Sequence, residues 1–511
     1  MSAPAWMQRP FAWRLLLVTL VLTIFTLRLT GPSELEGDAQ DRNVGYVMDA
    51  VWQGHWLVQT DIQGRVMSKP PLHTWLVGAF AAVGGINRLT LSITSALAVV
   101  AMALLAFQVG RRRFGTLAGG LAGLAVVLAP MMSKHITLVR TDALFAMATA
   151  LAAFAAHRAW ERGGGWAAFW AASALATLVK GPLGLVLAAT GLLAWFWERR
   201  DDPSLPRPQG RHGAGVALFL LLILAWLLPA LYVNGKSLID KMLFQELIGH
   251  ATGVGRGGFP GRNLPMPTVY FLIRFLPFSL FAVYGLWRIV RRPAAEPGER
   301  RFERFLFCWV VGGLLLFSLA SHHRGDLLLP LWPAAALIAG REMARFAGRI
   351  GTRWTAAGVA GLVAFFLGGA YWTYHPKAER NSEVRYTREV AQAAQALAAS
   401  GLDVKRLQHL DTPVTLQLAL GTFRTWIREE EALRLAAGPQ PVLLAVEKKK
   451  DFPRLFGPGG PPLKEVFHWP AEGARSKAEL SVFASAGLPE AGSQPSDSTA
   501  ARSRANTASV E

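Results

Sequence analysis

The sequence predicts an all-α polytopic membrane bundle that carries a small α/β domain at its carboxyl end. Three observations predict it. Of 511 residues, 52% are hydrophobic and only 17% charged, with a mean hydropathy of +0.29, which excludes a soluble globular protein and a disordered chain. The apolar residues gather in runs of about 20, the length needed to cross about 30 Å of hydrocarbon. Past Tyr374 the runs stop, and short helical and strand-like segments replace them.

Taken in order, the runs place about 11 spans near residues 12–30, 89–110, 115–132, 142–158, 164–180, 182–198, 214–233, 269–290, 304–320, 326–341 and 354–374. The first, Leu15 to Leu27 between Arg14 and Arg28, lacks a small-residue cleavage site and reads as an uncleaved span. Lys and Arg total 53 and Asp and Glu 34, a formal net charge of +19. That charge falls in clusters between alternate spans: Arg111 to Arg113, Arg158 and Arg162, Arg199 to Arg211, Arg288 to Arg304, Arg341 to Arg353. The positive-inside rule puts these loops in the cytoplasm and accounts for the charge without nucleic acid. The amino terminus is then inside and the carboxyl terminus outside.

Pro71 to Gly85 is apolar but only about 15 residues long, suited to a helix lying at the membrane surface. Counting it as a crossing would break the alternation of the arginine loops. Residues 1–377 therefore form a transmembrane domain whose first periplasmic loop is 31–88. Residues 378–486 read as a periplasmic α/β domain, with an amphipathic stretch at Arg388 to Ser400 and β-like runs at Val414 to Leu418, Val442 to Val446 and Leu480 to Ala484. The Ser-, Ala-, Pro- and Gly-rich segment 487–511 is too polar to bury a core and is expected to be disordered. Cys308 is the single cysteine and lies in an apolar run, so neither an intramolecular disulfide nor a cysteine metal cluster is available.

With that orientation, the ionisable residues of the outer loops and outer span ends are Glu34, Glu36, Asp38, Asp41, Asp49 and Asp61, then Lys69, then Lys134, His135, Arg140 and Asp142. Lys180, Glu246, His250, His322, His323 and Arg324 follow. Carboxylates ringed by cations at one depth suit a reaction centre for an anionic lipid head group, the cations holding a phosphate and a carboxylate acting on a hydroxyl or positioning the acceptor. Each residue has a plainer reading beside this one. Loop carboxylates are commonly solvated, Lys180 can snorkel, Asp142 can serve as a helix-start acid, and His322-His323-Arg324 can be a polar turn. No spacing singles out metal ligands. No cofactor is assigned, and the His and carboxylate groups leave room for a divalent metal.

Several short motifs add to this reading. Glu36-Gly37-Asp38-Ala39-Gln40-Asp41 is followed by Tyr46, Met48, Gly54-His55-Trp56-Leu57 and Ser68-Lys69-Pro70-Pro71-Leu72 with Trp75-Leu76. Later come Asp142, Lys180-Gly181-Pro182-Leu183-Gly184 and the run from Ser321 through Leu329-Pro330-Leu331 to Pro333. Together, over residues 12–374, they resemble the bacterial polyprenyl-phosphate-sugar glycosyltransferases, the family of protein O-mannosyltransferases and lipid A aminoarabinose transferases. The resemblance implies a GT-C architecture with a surface-helix loop. It places the first-loop acid at Asp38, with Asp41 as the alternative. The family's Asp-Glu dipeptide is not present, and Asp326 and Leu327 stand where a Tyr often precedes Pro330.

The expected activity is transfer of a sugar from a polyprenyl (undecaprenyl) phosphate to a lipid A-like or other envelope acceptor at the periplasmic face of the inner membrane. Asp38, Asp41 and Asp142 are the catalytic candidates. Lys69, Lys180, His322, His323 and Arg324 are the donor-phosphate candidates, and Glu246 and His250 would position acceptor or sugar. The alternatives are a protein O-mannosyltransferase, a flippase for lipid-linked sugars and an inactive scaffold. The flippase reading predicts repeats and mid-bilayer charges, and neither is evident in the sequence.

Overall fold

The structure is a computed structural model that describes residues 5–37, 39–205, 207–249, 264–321, 323–471 and 476–485. It divides into two compact units, Met1–Thr387 and Arg388–Glu511.

The first unit is helical. Among the described residues seven helical stretches are long and apolar enough to cross a membrane: Pro10–Thr30, Arg88–Phe114, Asp142–Arg162, His212–Glu246, Pro297–Leu319, Gly325–Ile350 and Thr352–Arg380. Shorter apolar helices at Leu72–Gly84, Thr116–Leu128 and Trp166–Lys180 pack among them. Four of the expected spans are interrupted: 115–132 breaks at Ala129 between Thr116–Leu128 and Pro130–His135, and 326–341 opens as a 3-10 turn at Gly325–Leu331 ahead of Trp332–Ile350. The 182–198 run is made of Leu183–Thr190, a 3-10 turn at Gly191–Leu193 and Ala194–Asp201. The 269–290 run is split into Met266–Arg274 and Phe278–Arg291, with Pro277 between them removing a backbone donor. The helix at Leu72–Gly84 has 13 residues, about 20 Å of rise, which is too short to span hydrocarbon.

Small residues let the central helices approach closely. Trp13 is wholly buried and donates its indole N–H to the Met7 carbonyl at 2.8 Å. A Cβ built on Gly120 would lie 2.2 Å from that ring, whereas one on Gly361 meets nothing within 4 Å. Gly120→Val therefore overfills a rigid core and is expected to cost about 3 kcal/mol. Gly361→Val serves as the matched control. Thermal unfolding in detergent, with a clear drop for the first and none for the second, checks this.

Both ends of the bundle are charged, in different ways. Glu161 at the end of helix Asp142–Arg162 pairs with Arg113, Glu198 with Arg300 and Arg304, and Glu303 and Glu342 with Arg341. Asp142 opens that same 21-residue helix, so it lies about 30 Å away along the axis. Lys180 closes the neighbouring helix Trp166–Lys180. The arginine-rich loops and the Asp142–Lys180 pair thus occupy opposite ends of the same helices.

Segment 31–88 folds over the Asp142 end. Helix Gln40–Trp52 clips onto the stretch before Asp142, because the Gln40 side chain accepts from the Val139 amide at 3.0 Å and Asn43 donates to the Val139 carbonyl at 2.9 Å. Ser92 and Ser95 donate to the carbonyls of Thr137 and Leu138 at 2.8 and 2.6 Å. A short loop that would otherwise expose its carbonyls is thereby held from two sides.

The second unit carries a four-stranded sheet in the order β1-β2-β4-β3, with β1 Leu407–His409, β2 Leu443–Val446, β3 Leu463–Trp469 and β4 Leu480–Ser485. Strand β1 runs parallel to β2, and β4 runs antiparallel to both β2 and β3. The expected runs at 442–446 and 480–484 are strands. The expected run at Val414 to Leu418 is instead the helix Val414–Leu420. Its alternating Val-Thr-Leu-Gln-Leu pattern is overridden by Pro413 at the helix start and Gly421 in the left-handed region (φ 67°) at its end. The segment expected to be disordered, 487–511, lies outside the described residues.

Candidate functional site

Asp142 is the centre of the densest ionic cluster at its end of the bundle. It is 2% exposed. One carboxylate oxygen accepts from Lys180 Nζ, and the other lies 3.0 Å from Arg140 Nε. Arg140 also reaches Asp326, whose two oxygens accept from Arg324 at 3.1 and 2.7 Å. Two buried carboxylates are thus matched by three cations drawn from three separate segments. The low-dielectric setting makes such pairing necessary, since an unpaired charge there costs several kcal/mol.

Lys69 sits beside this cluster, ahead of helix Leu72–Gly84, with its ammonium 3.5 Å from Glu246 Oε2. Burial pushes the ammonium down from the ordinary lysine value, and Lys180 adds to this, while Glu246 and Asp142 oppose it. A lysine that grips a phosphate must be charged, and this one loses its proton at lower pH than a solvated lysine does. On the expectation that Lys69 holds the donor phosphate, donor KM rises on the alkaline side earlier than for an exposed lysine. Lys69→Arg should move that limb to higher pH, because guanidinium stays charged throughout; a KM profile over pH 7 to 10 checks it.

Two buried histidines lie near Asp142. His135 Nδ1 lies 2.8 Å from the Met131 carbonyl, and Nε2 lies 3.8 Å from Asp142 Oδ2 without a hydrogen-bond partner. His73, one turn beyond Lys69, is buried with Nε2 also unpartnered. Burial pushes its imidazole down to about 4, against the pull of Asp142.

Of the residues expected to form the site, the structure brings Asp142, Lys180, Lys69, Glu246 and Arg324 into one neighbourhood. Asp41 is half-buried in the first turn of helix Gln40–Trp52 and makes no ion pair among the described residues. His323 is half-buried, with Nε2 unpartnered. Asp38, His250 and His322 lie outside the described residues. Other first-loop acids take structural roles instead. Asp49 accepts from the Thr60 amide at 2.7 Å and contacts His55 at 2.8 Å, while Asp61 accepts from the amides of Gln63 and Arg65 and from the Arg65 side chain. Glu34 pairs with Arg28.

Spacing in the sequence did not single out Asp326, His73 or the bridging role of Arg140. The one available signal for Asp326 was its departure from the family's aromatic residue at that place.

His135, Asp142 and Asp326 bring three ligand-type atoms within 4.8 Å of one another. They suit a metal poorly. Both carboxylates already carry Lys180, Arg140 and Arg324.

Comparison with known proteins places these features in context. Residues 68–228 match the family described as dolichyl-phosphate-mannose-protein mannosyltransferase. An undecaprenyl phosphate-alpha-4-amino-4-deoxy-L-arabinose arabinosyl transferase of Erwinia tasmaniensis is 25% identical over 331 residues, 62% of this chain and 57% of the relative. A second transferase of that description, from Pseudomonas fluorescens, is 24% identical over 345 residues, 64% of this chain and 59% of the relative. A protein of Aquifex aeolicus is 24% identical over 276 residues, 53% of this chain and 52% of the relative. The chain thus spans about half the length of the curated relatives it matches. Among solved structures, ArnT from Cupriavidus metallidurans bound to undecaprenyl phosphate aligns with a TM-score of 0.72 at 17% identity, covering 92% of this chain and 98% of that one. The chain shares that fold, and the resemblance read from the sequence is borne out.

Proposed function

We propose that the chain is a multi-pass inner-membrane glycosyltransferase that moves a sugar from a polyprenyl phosphate carrier to a cell-envelope acceptor at the periplasmic face. The observation that carries this is the cluster of Lys69, Lys180, Arg140 and Arg324 around Asp142 and Asp326, gathered at one end of the bundle. The arginine-rich loops lie at the other end, which the positive-inside rule assigns to the cytoplasm.

The chemistry follows from the charges. As the bond between the sugar's anomeric carbon and the phosphate breaks, negative charge grows on the departing phosphate. Lys69 is the cation placed to meet it, because its counter-ion Glu246 can give way to a phosphate oxygen. Asp142 fixes Lys180 and Arg140 in position and takes no proton itself, both of its oxygens being committed to cations. Asp38 and Asp41 remain candidates to orient the sugar or the acceptor. Undecaprenyl phosphate, present in the ArnT structure and in the names of the relatives, supports a lipid carrier as donor. A flippase is disfavoured because the ionic cluster lies at a helix end, where it serves one face only.

The test is incubation of the purified protein in nanodiscs with radiolabelled undecaprenyl-phosphate sugar and an envelope lipid fraction. Release of undecaprenyl phosphate together with labelled acceptor supports the reading. Movement of intact donor between leaflets without bond cleavage contradicts it.

A further inference from the structure

We infer that His135 takes up the proton released during transfer, and that the acceptor group is accordingly an alcohol; this deepens the proposed function and rests on it. The argument begins with the tautomer. The Met131 carbonyl can only accept, so His135 Nδ1, 2.8 Å away, carries the ring's hydrogen. A neutral ring then leaves Nε2 as a bare lone pair. The residue is 2% exposed, and this nitrogen has no hydrogen-bond partner and lies 3.8 Å from Asp142 Oδ2. The Asp326 carboxylate completes a trio lying within 4.8 Å of one another. The two carboxylates are held by Lys180, Arg140 and Arg324, so Nε2 is the acceptor of the three left unmatched, and leaving it so costs about 1–3 kcal/mol.

A hydroxyl proton delivered to this cluster therefore finds its open acceptor at Nε2. Asp142 is the poorer base, because Lys180 and Arg140 already hold its two oxygens. The charged groups facing the His135 ring are Asp142, Arg140 and Asp326. Burial keeps the resting ring neutral, and the two carboxylates stabilise the imidazolium that forms.

The step balances as follows. The acceptor's hydroxyl oxygen forms a bond to the anomeric carbon, while the carbon–oxygen bond to phosphate breaks and its electron pair leaves on the phosphate oxygen. The hydroxyl proton passes to His135 Nε2, and it returns to solvent after the products depart. A phosphate acceptor, already anionic, would need no such base.

The experiment uses the full chain in nanodiscs, a radiolabelled polyprenyl-phosphate sugar and two lipid acceptors, one ending in an alcohol and one in a phosphate monoester. The unchanged protein is expected to glycosylate the alcohol. His135→Asn, which can still donate to the Met131 carbonyl, is expected to lower kcat with the alcohol by about 10²- to 10⁴-fold. It should abolish the acid limb of the kcat–pH profile and leave binding of labelled polyprenyl phosphate unchanged. The assignment is overturned if His135→Asn keeps full transfer to the alcohol, or if it loses polyprenyl phosphate binding in step with activity. It is equally overturned if only the phosphate monoester is glycosylated. Failure of the unchanged protein to cleave the donor with either acceptor refutes the proposed transfer itself, and this assignment with it.

Discussion

Asp142→Ala is expected to abolish transfer and to destabilise the bundle by about 3–5 kcal/mol, the cost of leaving buried cations without their counter-ion. Lys180 and Arg140 both turn to this carboxylate; Arg140 keeps Asp326, whereas Lys180 has no other acidic partner among the described residues. Lys180 also lies over the Phe145 ring at 5.6 Å, so it cannot swing away without giving up that contact as well. A double variant, Asp142→Asn with Lys180→Met, removes both charges of one pair. It should recover much of the lost stability without recovering transfer. Thermal unfolding in detergent, run beside the radiolabel assay, separates the two effects. If Asp142→Ala unfolds at the same temperature as the unchanged protein, the carboxylate is not the keystone of the cluster.

Lys69→Ala is expected to lower transfer by at least about 100-fold, the usual consequence of removing one group that stabilises charge growing in the transition state. The fold should survive, because the Glu246 side chain retains 15% exposure and can be hydrated. Protein level in the membrane fraction and the melting temperature should therefore match those of the unchanged protein. A Lys69→Ala protein that transfers sugar normally would remove this lysine from the donor site.

The sequence made the helical bundle legible because burial in lipid demands long apolar runs, and such runs survive any detail of packing. It was less informative where a run is broken internally. Pro277 parts Met266–Arg274 from Phe278–Arg291, although the hydropathy there is continuous. In the second unit, alternation at 414–418 suggested a strand, and local helix signals at Pro413 and Gly421 prevailed.

The site divides in the same way. Lys69, Lys180 and Asp142 were legible because each is an ionisable group at a helix end, where hydrophobic patterning gives it no reason to be. Asp326 and Arg140 are 186 residues apart, and no local pattern reports a pairing over that distance. Asp49 and Asp61 look the same in sequence as a catalytic acid. Only the amides and side chains they accept from show that they hold the first loop together.

A structure of the protein with polyprenyl phosphate bound tests the central claim most directly. The account predicts phosphate oxygens within hydrogen-bonding distance of Lys69 Nζ, with Glu246 displaced and the Asp142–Lys180 pair intact beside them. A phosphate lodged instead among Arg113, Arg304 and Arg341, at the opposite end of the helices, would contradict it.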